Sequence, residues 1–147
     1  MNNILPAIIA GLSAGGILLF LSHIAPLFKA GNFVRDLDQP VLFGKTITRR
    51  EAHFVGIFTY IVLSAVFGGL FGFLVNLGVV PDFSFIPIII WGVVLTVLYG
   101  GIIMPIEGHG FFGLKEDTWF PIDLIITNLL WAILFWWLIG LWYTFAI

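Results

Sequence analysis

Four long apolar runs, at residues 4–28, 54–77, 85–106 and 122–147, take up most of this 147-residue chain. A hydrocarbon core of about 30 Å is crossed by roughly 20 helical residues, and each run is long enough to do so. A chain of this size has too little interior to hide so much apolar surface from water. The bilayer must therefore act as solvent, and inside it every backbone N–H and C=O has to be satisfied within the protein. The sequence predicts an all-α polytopic membrane protein, with four transmembrane helices in an antiparallel bundle. One domain spans residues 1–147, with helices over about 4–28, 49–77, 85–106 and 121–146.

Charge sets the expected orientation. Only 10% of the residues are charged, and all six Lys and Arg lie in two connections. Lys29, Arg35, Lys45, Arg49 and Arg50 stand between the first and second runs, and Lys115 between the third and fourth. Positive charge stays on the cytoplasmic side, so both connections are expected inside, with both termini and the turn at Asp82 outside. This is the pattern of a bacterial cytoplasmic (inner) membrane protein. Met1-Asn2-Asn3 carries no Lys or Arg, and the first run exceeds a signal-peptide h-region, so it reads as a retained helix. A net charge of −2, without basic clusters interleaved with aromatics, argues against nucleic acid as a partner. The expected partners are the lipid bilayer and other membrane helices. The lack of cysteine excludes disulfides and thiolate metal sites.

Local signals fix the details. Thr48-Arg49-Arg50-Glu51 reads as a capping box opening the second helix, and Gly78 as the residue that closes it. Pro26 is expected to bend or end the first helix. Residues 29–48 mix charge with apolar side chains, which suggests a segment along the membrane face and a short interfacial helix near 33–37. The brief turn at 79–84 makes the second and third helices antiparallel neighbours. Pro105 removes a bond to Gly101, and Gly108, Gly110 and Gly113 predict a shaped loop. Small residues recur at four-residue spacing, Gly11 and Gly15 in the first helix and Ser64, Gly68 and Gly72 in the second. Such stripes let helices approach closely, within a bundle or in a homo-oligomer or larger membrane complex.

Titratable groups collect at the expected inner end: His23, His53, His109, Glu51, Glu107 and Asp123. Histidine with carboxylate suits a divalent metal or proton transfer. The spacing lacks His-x-x-x-His and Glu-x-x-His, so a structural network is preferred, with no metal, no cofactor and no catalytic residue. Within it, His53 with Glu107 or His109 is the expected close pair. Asp123 falls in the first turn of the last helix, where the helix dipole favours an anion. Asn128 is expected to hydrogen-bond across the bundle. The middle layer otherwise holds Thr59, Tyr60, Ser64, Thr96 and Tyr99 and no charge, which argues against an ion-coupled transporter. G-x-S-x-G, P-loop, G-x-G-x-x-G after a strand and H-E-x-x-H are all absent.

A small-residue first helix, His53-Phe54 followed by Gly56 and Gly68, and the stretch Met104–Gly113 together resemble small four-helix integral membrane proteins of bacteria, of the domain-of-unknown-function type. The resemblance implies architecture and no activity. The leading expectation is a non-enzymatic structural or accessory subunit that packs with itself or a larger membrane complex. The runner-up is a carrier or pore for a small neutral or lipid-like solute. A membrane enzyme or redox subunit built on the histidines is third.

Overall fold

A computed structural model describes residues 3–24, 41–42, 45–46, 48–115 and 118–145. It contains α1 (Ile4–Ile24), α2 (Arg49–Asn76), α3 (Phe85–Leu98), a short α4 (Met104–Glu107) and α5 (Phe120–Phe145). Four spans among them are long and apolar enough to cross a membrane, with α3 and α4 making one continuous span. The chain is a small all-α membrane protein. A two-residue ladder, β1 (Val41–Leu42) against β2 (Lys45–Thr46), is antiparallel and pairs Val41 with Thr46. The bend expected at Pro26 and the interfacial helix expected at 33–37 lie outside the described residues.

Helix ends follow their local chemistry. The Thr48 hydroxyl accepts from the Glu51 N–H at 3.3 Å, and the Glu51 carboxylate accepts from the Thr48 N–H at 3.0 Å. This reciprocal pair satisfies donors that the first turn of α2 leaves without helical partners. At the other end Gly78 takes φ 72°, which only glycine adopts without cost, and turns the chain out of α2. Asp82 then accepts from the Ser84 N–H at 2.9 Å, shaping the turn into α3.

Between α3 and α4 the helix widens into a π turn over Tyr99–Ile103, where the Met104 N–H reaches the Tyr99 carbonyl. Pro105 explains it. Proline has no N–H for the carbonyl four residues back, and its ring crowds that carbonyl, so the backbone gains a residue in one turn. The span therefore continues to Glu107 instead of breaking.

Packing starts from the small residues. Gly11, Gly15, Ser64, Gly68 and Gly72 all face one seam between α1 and α2. A Cβ on Gly11 would strike the Ser64 carbonyl, one on Gly68 the Ala7 carbonyl, and one on Gly15 the Ser64 side chain. A Cβ on Gly72 would stand 2.6 Å from the Asn3 carbonyl oxygen. Only small side chains such as Ser64 and Ala7 stand between the two backbones here, so the helices approach closely and dispersion contacts accumulate along the seam. The stripes that suggested association between chains are used up inside one chain.

Close helix pairing joins α1 to α2, α1 to α5, and α3 to α5. The expected neighbours α2 and α3 do not pack backbone against backbone, although a short turn joins them. Large rings hold them apart: Phe71 of α2 lies 5.9 Å from Trp91 and 5.6 Å from Phe83. Phe71 also meets Phe135 edge-on at 5.8 Å, and Trp131 stacks on Phe135 at 5.1 Å. Phe71, Phe135, Ile88, Leu95 and Ile139 are fully buried and form the core.

This geometry sets a test. Gly68→Leu drives a branched side chain into the α1 backbone, which cannot yield as a flexible side chain does. It should cost at least the roughly 1–3 kcal/mol of ordinary overpacking. Val62, 40% exposed on the opposite side of α2, should tolerate replacement by Leu. Steric-trap or denaturant unfolding of the two variants beside the parent measures the difference.

Candidate functional site

α1 runs toward the connection at 25–48 and α2 runs away from it, so the end of one and the start of the other share one end of the bundle. There His23 and His53 meet. Their Nε2 atoms are 3.4 Å apart and their rings stand 5.4 Å apart at 68°. His23 Nδ1 lies 2.7 Å from the Leu19 carbonyl oxygen. A carbonyl only accepts, so Nδ1 carries a proton, and in the neutral form of the ring Nε2 presents a lone pair. With both rings neutral, a hydrogen bond between them runs from His53 Nε2–H to His23 Nε2. Both histidines are solvent-exposed at the bundle end.

The other titratable residues at this end play separate parts. Glu51 is held by Thr48, whose backbone N–H and hydroxyl both donate to its carboxylate and keep its carboxyl below the usual carboxylate range. A depressed folded value means the cap is intact above the ordinary carboxyl pKa and fails as pH falls through the lower one. Hydrogen-exchange protection of the Thr48 amide, which donates to that carboxylate, should therefore decline on acidification below 4.5, and a Glu51→Ala variant should lack that protection at every pH.

His109 is 3% exposed and sits in the loop after α4. Its N–H bonds the Met104 carbonyl at 2.9 Å and its carbonyl accepts from the Lys115 N–H at 3.2 Å. Gly108, Gly110 and Gly113 have φ of 93°, 75° and 71°, the unusual angles their spacing predicted. Phe112 adopts φ 53°, which a side-chain-bearing residue rarely does, and its ring fills the space that a Cβ on Gly100 would need. Asp123 occupies the first turn of α5, as expected, and is exposed. The Glu107 side chain lies outside the described residues.

Of the partners the sequence named for His53, the Glu107 side chain lies outside the described residues, and the pair described at this end is His53 with His23. The reason is the α1–α2 seam, which fixes those two helices at the closest approach in the bundle. Among the described residues, no group of three or more His, Asp or Glu side chains is placed to hold a metal ion.

Deeper in the bundle, the Asn128 side-chain amide donates to Thr96 Oγ1 at 3.1 Å, joining α5 to α3 as expected. The Thr96 hydroxyl in turn donates a hydrogen bond to the Gly92 carbonyl at 3.0 Å. Thr127 and Thr144 likewise bond carbonyls four residues back, which is how hydroxyls stay satisfied in a helix without water. At the far end, the Tyr143 hydroxyl donates to Asn3 Oδ1 at 2.8 Å and the Asn3 N–H donates to Asn76 Oδ1 at 3.3 Å. This clasp ties α5, α1 and α2 together. Nothing in the sequence singled out Asn3 or Asn76. Three buried donors, the Tyr60 hydroxyl and the indole N–H groups of Trp91 and Trp131, have no hydrogen-bond partner among the described residues.

Comparison with family models, with curated proteins and with solved structures gives no match.

The Asn128–Thr96 bond is open to measurement. In a double-mutant cycle of Asn128→Leu and Thr96→Val, the coupling energy should be about 0.6–2 kcal/mol, the range of interhelical hydrogen bonds in membranes. Unfolding free energies of the four proteins give it directly.

Proposed function

We propose that this chain is a non-enzymatic structural or accessory subunit of a cytoplasmic membrane, packing laterally with a second copy of itself or with a larger membrane complex. The observation that supports this most is the outer ridge of α2. Phe54, Phe58, Val62, Val66 and Leu70 recur every four residues, and all are exposed large apolar side chains. The ridge lies on the side of α2 away from the small-residue seam, and α2 pairs closely with only one other described helix, α1. Ridges of four-residue spacing fit the groove of a facing helix. The polar groups Asn3, Asn76, Asn128, Thr96 and Tyr143 are engaged in holding helices together. That employment fits a structural role.

The orientation in this proposal follows the basic residues, with the His23–His53 end cytoplasmic and the Asn3–Tyr143 end outside. Reporter fusions after Gly78 should register the outer side, and fusions within residues 29–48 the inner side. Opposite signals would reverse the molecule. For association, the parent in nanodiscs or mild detergent should give a defined oligomer, or co-purify with membrane subunits cross-linked through cysteines placed at Val62 or Val66. A strictly monomeric parent without α2 cross-links would remove this reading.

A second reading, a carrier for a small neutral solute, has one observation in its favour. The Tyr60, Trp91 and Trp131 donors are buried without partners among the described residues, and each such group costs about 1–3 kcal/mol unless something accepts from it. A solute rich in acceptor oxygens would meet that need. Uptake of such a solute into proteoliposomes, abolished by Trp131→Phe, would favour this reading over the first.

A further inference from the structure

We infer that His23 and His53 form a two-histidine binding site for a borderline-soft divalent transition-metal ion of the zinc or copper(II) kind. Imidazole nitrogens are the ligands such ions prefer, and magnesium and calcium are not bound by them. The separation fits. With metal–nitrogen bonds of about 2.1 Å, two ligands at a tetrahedral angle stand about 3.4 Å apart. The His23 and His53 Nε2 atoms are 3.4 Å apart. Ring placement fits as well. A ring nitrogen is about 1.2 Å from its centroid, so two rings converging on one tetrahedral ion have centroids about 5.4 Å apart. Rings aligned head-on across the same gap would stand about 5.8 Å apart. The observed 5.4 Å matches the converging arrangement.

The support behind the ligand is also present. Metal-binding histidines hand their second ring proton to a carbonyl or carboxylate, which fixes the tautomer and aims the lone pair. The His23 Nδ1–H bond to the Leu19 carbonyl, at 2.7 Å, does this from within α1. His23 is thus already in its ligand tautomer. For His53 to ligate, its proton moves from Nε2 to Nδ1 through solvent, which its exposure permits, with no net proton gained or lost. The two ligands come from helices locked by the Gly11, Gly15 and Gly68 seam, so little order has to be imposed when the ion arrives. Water completes the coordination on the exposed side. The site does not depend on the association proposed above, since both ligands belong to one chain.

The test uses the full-length, tag-free chain in nanodiscs after chelator treatment. Titration with zinc or copper(II) should show one strong equivalent per chain, and magnesium none. His23→Gln and His53→Gln should each weaken binding by about tenfold or more, since loss of even a ligand's supporting partner costs that much. Asp82→Asn, at the other end of the molecule, should bind as the parent does. Copper(II) electron paramagnetic resonance of the parent should show splitting from two imidazole nitrogens, and from one in either histidine variant. The parent spectrum decides the matter even if a variant folds poorly: splitting from one nitrogen or none overturns the site. Equal zinc affinity of the parent and the His23→Gln, His53→Gln double variant overturns it too.

Discussion

The rest of the structure depends on backbone-to-backbone contact between α1 and α2. In lipid, helices gain nothing from leaving water, so what holds them is the number of atoms they bring within van der Waals distance. Glycine and serine supply this by having little or no side chain in the way. α1 also packs closely on α5, and its other buried residues, Ala10, Ala14 and Leu18 among them, share one core with Trp131, Phe135 and Ile139 of α5. α1 and α5 each have two close partners, and the small residues of α1 suit that position.

Polar groups then set which helices meet and at what height. Asn3 accepts from Tyr143 and donates to Asn76, so one short residue before α1 reads the heights of α5 and α2 together. Asn128 and Thr96 do the same for α5 and α3. Each bond is worth on the order of 1 kcal/mol in a membrane, less than the seam as a whole, but each is directional. Packing supplies the adhesion and hydrogen bonds the registry.

Much of this was legible in the sequence because it is local. Helix existence follows from run length, the α2 start from Thr48 and Glu51, and the loop angles from Gly108, Gly110 and Gly113. The five small residues were recognised as a contact surface, but a stripe does not say which helix it meets. Sequence order suggested that α2 neighbours α3, and they do meet, but through the rings of Phe71 and Trp91 at 5.9 Å instead of through a small-residue seam. The His23–His53 pair was recoverable in principle. The seam sets Gly11 against Gly68 and Gly15 against Ser64, each step of four along α1 matched by four in reverse along α2. Extended, that register brings His23 opposite Gly56, one turn from His53. It was missed because it needs the pairing of α1 with α2 as a premise, and spacing within one segment cannot supply that. The Asn3 clasp joins residues 140 positions apart, with no local pattern to mark it.

The closest helix pairs also bear on how such a chain is made. α1 with α2, and α3 with α5, are each consecutive in synthesis and antiparallel, so the bundle divides into two hairpins. The first owns its whole glycine seam and needs nothing downstream to close it. The second owns the Asn128–Thr96 bond and can hide its amide from lipid before the first hairpin arrives. Biogenesis can therefore proceed as two helical hairpins entering the bilayer in turn. The docking of α1 on α5, the Phe71 ring contacts and the Tyr143 clasp form once both hairpins are in place.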